Sequence, residues 1–564
     1  MDRSGSDRYL SLEKLFIVIA STIYLIVFNV TVPHGDALRI ARQIESNDLI
    51  WNPNHLLFDV FGYYWSHFLQ LLNTDISILN GFEIISGIST IISLLLFHKI
   101  LLLLDVNKAS LRLVAITGLF ASKNFLSMAI SQYFFMLQMP FLLGAMLYAV
   151  KYYQQRDLNS SPDIPLYLMG LYLAIATGIE INNVIAIIFI GILIFIYPNS
   201  SAQRSLQPLI RFWGSAAALG FPVFLTGYFM SGTDSGFLSW VLAYQGESNS
   251  SLDQFYGIQW TLTGIVSAGA TTVFNLFFGN FIETAGLGTV LKVLVLGLPL
   301  EFNPEYTKII LAALLMPLVG LGLFLLLISS VRKIHKNFLI ALLLVWTLSY
   351  LVFNFFWTFG VDLFWFQLLP ALWLLLVLHL TRSADSTAAA AQGTASGWKF
   401  YTMTFCALAL LVLNTLQTVV PVSTDKVSTY RTQHAAMLQN GDMEIVPGWD
   451  RYKWMMETGQ DKTINKLLLM NMALQSAENE HHIKHLPGII EHHLASGKRV
   501  IVGRLYDLDK ESNPWYGLAD LGWPRARIQQ ALSEFCRKPL ETIDDVVFYE
   551  LFVCNTERLS AIPK

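Results

Sequence analysis

Apolar runs near twenty residues long recur along most of the chain. About 20 residues at 1.5 Å rise cross the hydrocarbon core of a bilayer, so each run is a candidate membrane helix. The runs fall at 12–32, 77–103, 109–127, 131–151, 163–179, 181–198, 207–230, 307–331, 337–357, 361–381 and 399–421. The stretch 260–300 is also apolar, but Gly279, Glu283, Gly286 and Gly288 interrupt it. It reads equally as two short spans, a re-entrant pair or an interfacial element. The pattern predicts a polytopic α-helical membrane protein with about 11–13 transmembrane helices. The run Leu56–Leu72 differs: Phe58, Phe61, Tyr63, Tyr64, Trp65 and Phe68 are interspersed with polar residues. That predicts an amphipathic helix lying in the membrane interface.

From Asp425 the pattern turns globular. Val500–Tyr506 and Asp545–Phe552 read as strands, and Ile489–Leu494 and Arg525–Phe535 as helices. The expected organisation is a transmembrane domain over 1–421, with its first outer loop at 31–76, and a small α/β domain over 422–564. An Ala/Gly/Ser/Thr-rich linker, 383–398, reads as a flexible inner loop.

Composition agrees with this picture. Charged residues make up 14% and hydrophobic residues 54%, with a mean hydropathy of +0.50. A soluble domain of this length would carry far more charge. The net charge is −3 and the basic residues are dispersed along the chain, so no nucleic-acid partner is expected. The N-terminal run Leu15 to Val32 lacks a small-residue cleavage site and reads as a retained first span. Among three cysteines, Cys406 lies in an apolar run and is expected simply to pack. Cys536 and Cys554 would pair if their region faces an oxidising compartment.

Loop charges set the orientation. With a cytoplasmic N-terminus, the inner loops hold Lys99, Lys108 and Arg112, then Lys151 and Arg156, Arg204 and Arg211, then Arg332, Lys333 and Lys336, and Arg382. The opposite loops are poor in basic residues, Lys123 being the exception. Residues 31–76, Glu180, the 231–306 region, Asp362 and the C-terminal domain are thereby expected outside the cytoplasmic membrane.

The first outer loop gathers candidate chemistry. In Thr31-Val-Pro-His-Gly-Asp36, Pro33 and Gly35 end the first span and leave Asp36 at the membrane surface. Arg39, Arg42 and Glu45 follow at helical spacing. A carboxylate there suits a general base acting on an acceptor hydroxyl. It equally suits a helix N-cap paired with Arg39. His34 and His55 flank this position and would orient the carboxylate or a donor, or be ordinary loop histidines. Lys123 would hold a lipid phosphate as a point charge or snorkel from a helix end. Glu180, in the turn between two spans, would contact an acceptor or a metal, or cap the turn. Asp362 is a further donor- or acceptor-binding candidate. In the C-terminal domain His481, His482, His485, His492 and His493 read as a solvated face, with Pro487-Gly488 breaking any helix between the two groups. Gly441-Asp442 reads as a turn.

The order of these features resembles the GT-C superfamily of polyprenyl-phosphate-sugar-dependent glycosyltransferases, including its bacterial mannosyltransferase-like and aminoarabinose-transferase-like members. The resemblance is carried by a first span ending in Gly35-Asp36, by Asn52-Pro53-Asn54-His55-Leu56-Leu57, and by the many spans that follow. Late in the chain, Phe355-Phe356-Trp357 and Phe364-Trp365-Phe366-Gln367-Leu368-Leu369-Pro370-Ala371-Leu372-Trp373 are similar to the motif closing the membrane core in bacterial members. It implies that Asp36 is the catalytic base and that the partners are a polyprenyl-phosphate sugar and a glycan, lipid or protein acceptor. Many relatives pair two acidic residues in this loop. Here Gly35 and Ala37 flank Asp36, which leaves a second carboxylate or a divalent metal open. No phosphate loop or nucleotide fingerprint occurs, and no nucleotide cofactor is expected. The rival reading is a membrane transporter or lipid flippase, which would show internal repeats and mid-span ionisable groups. A catalytically inactive relative serving as an assembly partner is a third.

Overall fold

The structure is a computed structural model. It describes residues 3–28, 51–72, 76–132, 134–157, 163–196, 206–234, 236–246, 338–357, 362–384, 397–419, 433–446, 465–468, 476–503, 530–543 and 546–554, with positions 37, 40, 41, 43, 44, 277, 318–323 and 325. His34, Asp36, Arg39 and Arg42 lie outside the described residues, as does the stretch 260–300 apart from Phe277. The chain divides into two compact units: a helical one within Met1–Val30, Ile40–Val241 and Ile258–Ser423, and a second that contains Thr424–Lys564.

Up to residue 423 the described helices are α1 (Arg3–Val27), α2 (Leu56–Leu72), α3 (Ile78–Leu103), α4 (Ala109–Ala121), α5 (Lys123–Ile130), α6 (Gln138–Asp157), α7 (Asp163–Ile179), α8 (Val184–Ile196), α9 (Gln207–Ser231), α10 (Phe237–Gly246), α11 (Phe338–Trp357), α12 (Leu369–Ala384) and α13 (Gly397–Asn414). Three 3₁₀ turns, Phe134–Leu137, Ile181–Asn183 and Asp362–Leu368, interrupt the series. Among the described residues four helices are long and apolar enough to span a bilayer, five if α4 and α5 count as one broken span, and five shorter apolar helices accompany them. The chain is a multi-pass membrane protein.

Lipid-facing and protein-facing sides are distinct. On α1 Leu12, Phe16, Ile19 and Ile23 are exposed, whereas Glu13, Ile17 and Ser21 are buried. Helix α2 forms as its pattern predicts. It buries Leu56, Phe58 and Leu69 together with Asp59, Gly62 and Ser66, and exposes Phe61, Tyr64 and Phe68. Helix α7 packs between α6 and α9, α3 against α6, and α4 against α13.

The expected span 109–127 is not continuous. The chain bends by 70° between α4 and α5, at Ser122. A broken helix in a membrane must find partners for its freed backbone groups inside the protein. Ser122 Oγ donates to the Gly118 carbonyl (2.8 Å) and accepts from Trp373 Nε1 (3.0 Å), while Asn414 Nδ2 donates to the Ala121 carbonyl (2.7 Å). Gly118 lies under the Trp373 ring, where a Cβ would collide. Cys406 is buried in α13, as expected.

In the second unit a five-stranded sheet has the order β2-β1-β3-β5-β4, with β1 Met443–Val446, β2 Asn465–Leu468, β3 Val500–Gly503, β4 Phe535–Ile543 and β5 Val546–Val553. The first three run parallel, and β5 and β4 antiparallel. Helix α14 (Ser476–Ala495) lays Leu486 and Ile490 on Met443, Ile445, Val500 and Val502. Two expectations are corrected here. Pro487 sits inside α14 without ending it, because packing of the apolar face outweighs one missing backbone donor. The described part of Arg525–Phe535 is helical only over 530–533, and Phe535 opens β4. Cys536 and Cys554 form a disulfide across the β4–β5 hairpin. Gly441, at φ +89°, makes the turn before β1, and Asp442 Oδ2 accepts from Gln439 N (2.6 Å).

Candidate active site

The irregular elements of the helical unit gather at one end of it. Helix α6 begins there with Gln138, α7 ends at Ile179, and α5 packs against both the Phe134–Leu137 and the Asp362–Leu368 turns. The segment Asn52 to Leu57 enters the same region and is fixed along its length. Asn52 Oδ1 accepts from Asn54 N (3.0 Å) and the Asn52 carbonyl from His55 N (3.1 Å), a tight turn within the segment. The Asn54 carbonyl then accepts from Ile181 N (3.0 Å), pinning the first loop to the turn after α7. Leu56 lies over Gly227 of α9, and Leu57 lies over Gly178 of α7, where an added Cβ would fall 2.5 Å from Leu57 Cδ1. Small residues at these points let the segment approach the helices closely.

This clamp brings two sequence candidates together. His55 Nδ1 lies 2.7 Å from Glu180 Oε2, with the side chains 14% and 5% exposed. The His55 ring meets Phe135 edge-on (5.5 Å) and Phe58 at a tilt (5.9 Å), so the pair is walled by aromatics. An ion pair so shielded is screened less than one at a water surface. Arranged this way, the imidazole and the carboxylate face each other at ion-pair distance.

Behind Glu180 stands a set of neutral polar residues that sequence reading passed over as candidates. Asn183 Nδ2 donates to the carbonyls of Glu180 (3.1 Å) and Ala176 (2.9 Å) and to Gln138 Oε1 (2.7 Å). Asn183 Oδ1 accepts from the Tyr350 hydroxyl (2.7 Å). Gln367 Nε2 reaches Gln138 Oε1 (2.9 Å) and Asn182 Oδ1 (3.0 Å), and the Gln367 carbonyl accepts from Trp346 Nε1 (3.1 Å). Asn183 thus caps α7 and sets the backbone that carries Glu180. The available signal was polar residues inside otherwise apolar spans, which in a membrane must satisfy one another.

Lys123 is placed separately, as the first residue of α5 directly after the bend, and is half-buried. Asp362 opens the 3₁₀ turn that carries Gln367. The elements bearing Lys123, Asp362 and the His55–Glu180 pair therefore pack around one another. Among the described residues no group of three or more His, Cys, Asp or Glu side chains comes together as a metal site.

The architecture, an interrupted multi-helix core followed in the chain by a small α/β unit, shares its overall fold with solved structures. The structure is similar to ArnT from Cupriavidus metallidurans in its apo state, at a TM-score of 0.54 and 10% identity, covering 99% of this chain and 100% of that one. It is similar to the same enzyme bound to undecaprenyl phosphate, at 0.53 and 10% over 96% and 98% of the two chains. A third likeness is to the Archaeoglobus fulgidus oligosaccharyltransferase, at 0.51 and 12% over 93% of this chain and 73% of that one. No family model and no curated protein matches the sequence.

Proposed function

We propose that this protein is a glycosyltransferase that takes a sugar from a polyprenyl-phosphate donor and passes it to a glycan, lipid or protein acceptor on the outer side of the cytoplasmic membrane. The observation that carries the reading is the fixing of the first-loop segment Asn52–Leu57 onto the Glu180 turn, through Asn54, His55 and Leu57, within a GT-C fold. A loop held so firmly suits chemistry that needs reacting groups at fixed positions. That ArnT has been seen with undecaprenyl phosphate supports a lipid-phosphate donor.

In the proposed reaction Asp36 takes the proton of the acceptor hydroxyl as its oxygen bonds to the anomeric carbon. The bond from that carbon to the phosphate oxygen breaks, and its electron pair leaves with the lipid phosphate. Lys123, with Arg39 or Arg42, meets the charge that develops on the leaving phosphate. The His55–Glu180 pair and Asp362 contribute to donor or acceptor binding. The Cys536–Cys554 disulfide supports an oxidising, extracytoplasmic setting for the C-terminal domain.

The test is release of free undecaprenyl phosphate by the purified protein supplied with undecaprenyl-phosphate sugars and candidate acceptors. Sugar-dependent release is expected. No release with any pairing would move the reading to a transporter or flippase. Labelling of introduced thiols in the C-terminal domain by an impermeant reagent from outside intact cells is expected, and labelling only from the cytoplasm would overturn the orientation.

A further inference from the structure

The glycosyl-transfer reading leaves open what selects the sugar. Resting on that reading, we propose that the amide side chains of Gln138, Asn182 and Gln367 form a subsite that reads hydroxyl groups of the transferred sugar. Gln138 and Gln367 are fully buried and Asn182 is 5% exposed. Their mutual bonds use only one atom of each amide. Gln138 accepts through Oε1, Gln367 donates through Nε2, and Asn182 accepts through Oδ1. The complementary atoms, Gln138 Nε2, Asn182 Nδ2 and Gln367 Oε1, are buried and have no hydrogen-bond partner among the described residues.

Unmet amide groups are costly anywhere in a protein interior, and more so inside a membrane unit. The residual set, two amide NH2 groups and one carbonyl acceptor, also has a definite chemistry. It does not suit a phosphate, which cannot donate to Gln367 Oε1. It does not suit a metal cation, which the two NH2 groups would repel, nor an apolar chain. It does suit sugar hydroxyls, because each hydroxyl both donates and accepts. Asn182 follows Glu180 by two residues, in the 3₁₀ turn that starts at Ile181, so the set adjoins the His55–Glu180 pair. Asn183, which bonds both Gln138 and the Glu180 carbonyl, joins the two.

The test compares binding of undecaprenyl phosphate with binding of undecaprenyl phosphate carrying mannose, glucose or arabinose, using the full-length protein in detergent. Wild type is expected to bind at least one sugar-bearing lipid about tenfold more tightly than the bare lipid phosphate. Gln138→Leu and Gln367→Met are expected to lose most of that gain while holding the bare lipid phosphate as wild type does. Asn182→Ala, in a short turn rather than a helix, repeats the comparison where a helix-borne variant fails to fold. A sugar-dependent gain that survives in the folded variants overturns the subsite, and the amides then serve only to hold the helices together. Bare lipid phosphate bound by wild type with no gain from any sugar overturns the subsite but leaves the lipid-phosphate donor standing. Binding of neither lipid removes both.

Discussion

At one end of the helical unit, Glu13 of α1 receives Arg112 Nε (2.9 Å) and Nη2 (2.5 Å) and lies 2.9 Å from His98 Nε2, while Arg112 Nη1 donates to the Val106 carbonyl. At the other end, His55 and Glu180 are backed by Gln138, Asn182, Asn183, Tyr350 and Gln367. Helix α6 measures the separation: Gln154 donates to the Leu103 carbonyl near the first cluster and Gln138 belongs to the second, about 24 Å apart along the helix axis. The Glu13 cluster joins regular helices by a two-pronged carboxylate–guanidinium contact. The His55 cluster sits where helices stop, among 3₁₀ turns and a bend, with amide atoms left over. Polar groups in a membrane protein therefore do two kinds of work here. One set fastens helices, and the other is arranged around irregular backbone, where the proposed site lies.

The sharpest way to break this comparison is to remove Arg112. Arg112→Ala leaves the buried Glu13 carboxylate without its guanidinium and is expected to cost about 3–5 kcal/mol of stability, read as a fall in unfolding temperature in detergent. Lipid-phosphate release per folded molecule should stay near wild type, and a loss of turnover without a loss of stability would erase the distinction. Glu180→Gln should do the opposite, slowing release about a hundredfold, equivalent to about 2.7 kcal/mol in the barrier, with little change in unfolding temperature. Combining it with His55→Ala should add much less than the sum, because the two act as one pair. Gly178→Ala forces Leu57 away from α7 and is expected to cost about 1–3 kcal/mol, with a slower transfer because the His55 segment shifts too. Ser122→Ala removes the acceptor for Trp373 Nε1 at the helix bend and should cost about 1 kcal/mol by the same thermal measurement.

The helices were legible because hydrophobic periodicity and loop charge are local properties, and nearly every expected span with described residues falls on a helix. The bend at Ser122 was not, since its partners Trp373 and Asn414 lie 251 and 293 residues away in sequence. His55 and Glu180 were each readable as candidates, but not their pairing, which depends on how the Asn52–Leu57 segment folds onto α7. The amides of Gln138 and Gln367 read as ordinary polar residues near span ends. Only their mutual contacts distinguish them. In the C-terminal unit β3 and β5 were visible as apolar runs. The four-residue strands β1 and β2 are short, and β4 carries Arg537, Lys538 and Glu541 because it is an edge strand.

The central claim is that a carboxylate in the first loop removes the acceptor proton while a lipid phosphate departs. It is tested most directly by comparing wild type with Asp36→Asn for release of undecaprenyl phosphate from an undecaprenyl-phosphate sugar in the presence of acceptor. The substitution keeps size and removes the base, so release should fall at least about a hundredfold with donor binding retained. Equal turnover in the two proteins would contradict the account.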